Sequence, residues 1–306
     1  MEAFREIACG LAVPEGPVAL GDGSVLVVEV LGGRLTRVSA DGTKTVVAET
    51  GGGPNGAAMG PDGKCYVCNN GGIPFVESEG EMVPDPDPAH WQPGSIQRVD
   101  MESGAVEVLY TESEHGLIGA PNDLVFDAHG GFWFTDHGRT WHGSRDRGGV
   151  YYAKADGSHI RFAIPGIESP NGIALSPDGN LLYVAETYTG HLWSFEVVAP
   201  GHVKCAQGLF TPGGVIVGRA GPGMFLDSMA VDAAGTICVG TLNVGGILSF
   251  SKDGQSCRHL PLPDQLVTNI CFGGPDRRTA YVTLSESGRL VALDWPEPGL
   301  ALHYHA

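Results

Sequence analysis

Basic side chains are scarce in this chain. It has 18 Lys and Arg against 35 Asp and Glu, and a formal net charge of −17. Such a surface repels phosphate backbones and anionic bilayers, so neither a nucleic-acid nor a membrane partner is expected. No apolar run is long enough to span a bilayer as a helix. The opening Met1-Glu2-Ala3-Phe4-Arg5-Glu6 lacks the basic-then-apolar order of a signal peptide. The seven cysteines are odd in number and irregularly spaced, which does not make a disulfide framework. A reduced, cytoplasmic location fits this usage. Cys65 and Cys68 form a C-x-x-C, but within a strand positions i and i+3 face opposite sides, which argues against a zinc or redox pair. No Gly-x-Ser-x-Gly elbow suggests a serine hydrolase. The glycines between Pro212 and Gly223 lack the Lys-Ser/Thr and the helix of a phosphate cradle. Helical periodicity is nearly missing.

What the chain has instead is turns: 47 Gly and 21 Pro. They punctuate a repeat. Ser169-Pro170-Asn171-Gly172 leads into an apolar strand, a Pro177-Asp178-Gly179 turn and a second apolar strand. Pro pre-sets the first turn angle, and Gly accepts the positive φ that a tight turn demands. Counterparts begin at Glu15, Asn55, Asn122, Asp227 and Asn269. A third strand follows each hairpin, opened by Gly33, Gly94, Gly148, Gly190, Gly245 and Gly288. A fourth follows in most units, such as Thr45–Ala48 and Ile160–Ala163. Four short strands per unit, at a period of roughly 40 to 65 residues, is the signature of a propeller blade. The prediction is an all-β, six-bladed β-propeller, a single domain over residues 1–306. The sixth unit lacks a fourth strand after Leu293. Phe4–Ala8 precedes the first hairpin as a fourth strand would, so it is expected to close the ring and remove the open edge.

The first strand of a propeller blade is the innermost, and its first residues face one mouth of the central channel. Six equivalent positions carry Glu15, Asn55, Asn122, Asn171, Asp227 and Asn269, all oxygen donors. Asn and Asp also favour turns for their own sake; Glu15 has no such preference. A ring of hard oxygens suits Ca²⁺, or Mg²⁺ and Mn²⁺. Asp123 follows Asn122 in place of the usual Gly, which sets two oxygen side chains together. Glu29 and Glu186, at second-strand ends, and Tyr188 are placed near the same rim. The long connection 71–93 reads as a lid or a solvated excursion, with Phe75 and Trp91 able to contact a ligand. The loop after Thr135 offers His137, Arg139, Trp141 and His142 as pocket-lining residues. His303-Tyr304-His305 reads as surface.

Pro14-Glu15-Gly16-Pro17, Pro121-Asn122-Asp123, Ser169-Pro170-Asn171-Gly172 and Asp227-Ser228-Met229 together resemble the SMP-30/gluconolactonase/luciferin-regenerating-enzyme family. The resemblance covers essentially the whole chain. It implies a six-bladed propeller with one divalent metal at a channel end, Ca²⁺ first, with Mn²⁺, Mg²⁺ or Zn²⁺ as alternatives. Carried over, Glu15, Asn171 and Asp227 would be metal ligands, and Asn122 a fourth ligand or a substrate contact. Asp227 would be the general base or nucleophile. A carboxylate on a metal is a weak base, which favours Asp123 instead. Asn55, His137 and Trp91 are the further substrate-binding candidates. Sugar-lactonase members often carry Arg where this chain has Ala120, which leaves room for a less polar lactone. Ser228 stands where Gly is frequent.

The leading expectation is a metal-dependent lactone hydrolase acting on a small-molecule lactone. Its rivals are a phosphotriester or aryl-ester hydrolase, because the same pattern resembles diisopropyl fluorophosphatase, and a non-catalytic calcium-binding propeller.

Overall fold

The computed structural model describes residues 4–72, 75–78, 81–84, 91–141, 143–204, 208 and 211–304, with the backbone alone at 75–78 and 81–84. His142, His305 and the Phe75 side chain, named above, lie outside the described residues. Every regular element among the described residues is a β-strand. Among the described residues no helix is long and apolar enough to cross a membrane.

Among the described residues the strands form six antiparallel blade sheets and two small two-stranded hairpins, and the first five blades are entered from their innermost strand. The innermost strands are Pro14–Ala19, Pro54–Met59, Pro121–Phe126, Pro170–Leu175, Phe225–Val231 and Val267–Gly273. Each contacts the next around the circle, and the sixth contacts the first. The predicted closure is observed: Arg5–Ala8 pairs antiparallel with Arg289–Asp294, Arg5 opposite Ala292. Blade four departs from the simple repeat. Its third strand, His191–Ala199, pairs with His202–Lys204 near one end and with Val215–Arg219 near the other. Two short segments there share the place of one outer strand.

The molecule has six apolar cores, one between each pair of neighbouring blades. Strand alternation explains this, because both faces of each sheet are buried. In Cys65–Asn69, Tyr66 and Cys68 pack toward blade three while Cys65 and Val67 pack toward blade one. The two thiols therefore do face opposite ways. Burial pushes the Cys65 thiol up to about 12 and Cys68 well above its ordinary value.

All six inner strands carry a register irregularity at the predicted ring residue or directly beside it. In blade three, Pro121 lies opposite Asp136 and Leu124 opposite Phe134, so three steps on one strand match two on the other. The same shift follows Glu15, Pro54, Pro170 and Leu226, and a one-residue version precedes Asn269. Such a bulge inserts one unpaired residue and re-aims its side chain.

Neighbouring bulges touch backbone to backbone. A Cβ on Gly172 would sit 2.6 Å from the Asp227 carbonyl oxygen and 2.8 Å from Ser228 Cα. Backbone on both sides cannot swing away as a side chain could. Gly172→Ala is therefore expected to cost about 1–3 kcal/mol through overpacking. An unchanged urea midpoint in that variant would contradict this packing.

The far end of the channel is crossed by the C-terminal tail. Gly299 N–H donates to Arg277 O, and Leu300 N–H to Val231 O. Tyr304 sets its ring edge-on to Phe126, 5.7 Å between centroids. The surface expectation for Tyr304 is thus corrected: it is partly buried against the core between blades two and three. Beneath the tail lies a cavity of ≈ 110 Å³, bounded by Leu300 and Leu302 and reaching Asp123 and Asn269. Within the connection 71–93, Phe75–Ser78 pairs antiparallel with Glu81–Pro84.

Candidate functional site

Pro cannot donate a backbone hydrogen bond, so the loop leading to each ring residue needs another anchor. In blades one to four, the residue opposite that Pro supplies it. Glu29, Asn69, Asp136 and Glu186 stand opposite Pro14, Pro54, Pro121 and Pro170. All four are buried. Their side-chain oxygens accept the backbone N–H of Ala12 (2.8 Å), Gly53 (3.0 Å), Gly119 and Ala120 (both 2.7 Å), and Glu168 (2.7 Å). Glu29 also accepts from Arg34 and Thr36, and these contacts hold its carboxyl down at about 2 despite burial. Glu186 is engaged by Thr189, His191 and Trp193. Neither is a rim carboxylate: both are occupied in fixing the approach to the ring. The signal was present as a recurrent Glu, Asn or Asp ending the second strand.

The anchored loops bring Glu15, Asn55, Asn122, Asn171, Asp227 and Asn269 to the bulged starts of the six inner strands. The three acids of the site, Glu15, Asp123 and Asp227, come from blades one, three and five. All are buried. Burial raises the Glu15 carboxyl to about 7, against hydrogen bonds from Asn269, Gly16 and Ser228. Burial, then the Glu15 charge, pushes Asp227 and Asp123 well above the ordinary range. Asn269 Nδ2 donates to Glu15 Oε2 at 2.7 Å, and Ser228 Oγ to Asn171 Oδ1 at 3.3 Å. Asp123 turns its oxygens to backbone, accepting Leu124 N–H at 2.9 Å and Ile173 N–H at 3.4 Å.

Among the described residues, three buried carbonyl or carboxylate oxygens of the ring have no hydrogen-bond partner: Glu15 Oε1, Asn55 Oδ1 and Asn122 Oδ1. Buried acceptors of this kind normally find a donor. Oxygens left bare beside three mutually repelling acids are the donor set of a hard divalent cation. Among the described residues no three His, Cys, Asp or Glu side chains close on one point, so a cation here needs the amide oxygens too.

Above the ring, an aromatic arc follows blades three to five. The His137 ring lies 5.9 Å from Tyr188, and Tyr188 lies 6.2 Å from Phe225. Arg145 stacks on Tyr188 at 4.2 Å and approaches His137 Nδ1 at 3.3 Å. Burial first and the Arg145 charge second lower His137 to about 4, so its imidazole is neutral at pH 7. On the blade-two side, Trp91 meets Trp141 edge-on at 6.0 Å and carries Arg139 over its ring at 4.9 Å. Trp91 Nε1 is buried without a partner among the described residues. His115, seven residues before Asn122, sits on a small hairpin against Phe162 and not among these groups.

Residues 13–286 match the model of the SMP-30/Gluconolactonase/LRE-like region. The chain belongs to that family. A lactonase drp35 of Staphylococcus haemolyticus is 28% identical over 257 residues, 81% of this chain and 69% of the relative. A 6-deoxy-6-sulfogluconolactonase of Pseudomonas putida is 28% identical over 243 residues, 67% of this chain and 81% of that protein. Among solved structures, a gluconolactonase from Xanthomonas campestris superposes with a TM-score of 0.76 at 22% identity, covering 96% of this chain and 89% of its own. That last likeness concerns the fold.

Proposed function

We propose that this member of the family hydrolyses a small lactone at the ring-bearing mouth, with a divalent cation, Ca²⁺ first, held by Glu15, Asn122, Asn171 and Asp227. The hydrolase class rests on the family and on the two relatives named as lactonases. The observation that carries the metal is the set of bare buried oxygens on Glu15, Asn55 and Asn122 beside the three buried acids. Bound there, the cation supplies Lewis-acid polarisation of the lactone carbonyl.

The chain's own groups divide the remaining work. Asp227 takes the proton from the attacking water and returns it to the ring oxygen as the ring C–O bond breaks, which leaves a hydroxy acid whose carboxyl then ionises and releases a proton. Asp123 is less suited to that task because its oxygens face the Leu124 and Ile173 amides; it ties the starts of the blade-three and blade-four inner strands together beneath the ring. His137, neutral and screened by Arg145, lines the mouth. The aromatic side chains at this end are Trp91, Trp141, Tyr188 and Phe225, with Arg139 and Arg145 held against two of those rings, and Ala120 offers no cation. These surfaces suit an apolar or aryl-substituted lactone better than a polyhydroxylated one.

A pH-indicator assay over sugar, alkyl and aryl lactones, after chelation and after Ca²⁺, Mn²⁺ or Zn²⁺ is restored, tests this. Metal-restored proton release, strongest on the less polar lactones, is expected. No turnover on any lactone with metal bound would sink the reading and leave the phosphotriesterase and scaffold alternatives.

A further inference from the structure

We propose that Arg139 is a positioning residue of the lactone site, fixing where Asn122 stands and holding the Trp91 indole beside the mouth for a substrate oxygen. The inference builds on the lactonase reading for the nature of the ligand.

The Gly119-Ala120 dipeptide leads directly into Pro121-Asn122. All four of its backbone polar groups bond to residues 136–139. Gly119 N–H and Ala120 N–H donate to Asp136 at 2.7 Å each. His137 N–H donates to Ala120 O at 2.9 Å. Arg139 Nε–H donates to Gly119 O at 3.4 Å. Side chains of two residues and one backbone amide thus set the bulge that presents Asn122.

Arg139 alone extends this clamp to a second segment. Its terminal nitrogens donate to Asn70 O, to Gly72 O at 3.4 Å and to Gln92 O at 3.1 Å. Those carbonyls flank both ends of the connection between Cys65–Asn69 and Ser95–Val99. The guanidinium also lies over the Trp91 ring at 4.9 Å. No carboxylate among the described residues lies within ion-pair reach of it. Burial lowers Arg139 to about 10, which leaves it charged at pH 7. A planar fork that serves three segments and a ring face at once is a task Lys cannot reproduce.

What the clamp presents is an unspent donor. A buried N–H without an acceptor carries a desolvation cost, and Trp91 Nε1 is such a group. A lactone brings two oxygens to the same mouth. Bound substrate would satisfy the indole, and Arg139 would act through it.

Arg139→Lys, Trp91→Phe and the double variant test this by steady-state kinetics on the lactone the wild type opens fastest, with hydrogen exchange of residues 117–124. Arg139→Lys is expected to raise KM and lower kcat/KM by about 10²-fold, the scale of a misplaced contact. Trp91→Phe should lower kcat/KM by about tenfold, the scale of one hydrogen bond. The double variant should fall little below Arg139→Lys alone, because the two act as one unit. Exchange at 117–124 should quicken in Arg139→Lys while that of blades five and six stays as in wild type. An unchanged KM in both single variants, or fully additive losses, would overturn the proposal. If Arg139→Lys does not fold, an unchanged KM in Trp91→Phe overturns it. A wild type that opens no lactone would be a failure of the lactonase reading; the exchange measurement still decides whether Arg139 holds the loop before Asn122.

Discussion

Asp227→Asn lowers lactone turnover by about 10²–10⁴-fold, the range of a lost general base, and raises the melting temperature of the metal-free protein. Both effects come from one carboxyl. Asp227 is buried and feels the charges of Glu15 and Asp123, so its ionised form is unfavourable without a cation. Asn keeps the shape and removes the charge. Replacing a strained functional group in this way commonly gains stability while losing function. Asp123→Asn separates the two acids. Asp123 accepts backbone N–H groups from both sides, and an amide NH₂ cannot accept. One buried amide would lose its partner, at about 1–3 kcal/mol. The expected pattern is therefore an inactive, stabler Asp227→Asn and a destabilised Asp123→Asn. Turnover near wild type in Asp227→Asn, with metal affinity intact, would remove Asp227 from the base role.

Chelation is the second large effect. A cation that binds only the folded ring stabilises it by roughly 4 kcal/mol at a thousandfold excess over Kd, a melting shift of several degrees. Its removal should abolish turnover and lower the melting temperature, and Ca²⁺ should restore both. The chelated protein should also respond to pH in a defined direction. Glu15 is raised from 4.5 to about 7 in the fold, so the folded chain holds a proton that the unfolded chain has released. Its stability is then fullest below pH 4.5 as far as this group is concerned, and it declines as pH rises through about 7. With the cation bound the decline should vanish. Calorimetric scans at several pH values, with and without Ca²⁺, read both results. Identical melting curves with and without metal would contradict the donor set.

The repeat made much of this architecture legible. Strand alternation, turn residues and the Gly-opened third strands located the inner strands, and Phe4–Ala8 was readable as the closing strand because blade six lacked its own. The ring of oxygens was legible because its members occupy one position in each unit. The exact aim of each side chain was not, since a bulge depends on pairing with a partner strand, which spacing alone does not reveal. The roles of Glu29 and Glu186 were missed for a related reason. A carboxyl at a strand end looks exposed until the proline opposite it is seen to leave nearby amides in need of an acceptor. Arg139 was placed in the pocket by its loop, but its partners Asn70, Gly72, Gln92 and Gly119 come from segments far away in sequence. The split outer strand of blade four and the tail across the channel had no repeat to announce them.

The pairing of Arg5–Ala8 with Arg289–Asp294 has a consequence for how the molecule is made. During synthesis Arg5–Ala8 must wait for Arg289–Asp294, its partner far along the chain. At about 5–20 residues per second, that interval is roughly 15–60 s. During it the blades already made can stack on one another, but the first inner strand lacks its sixth neighbour. Glu15 and Asn269, which share a hydrogen bond in the finished ring, belong to the first and last blades. The ring-bearing mouth is therefore complete only once the sixth blade has been made, and a nascent chain would be inert until that blade arrives.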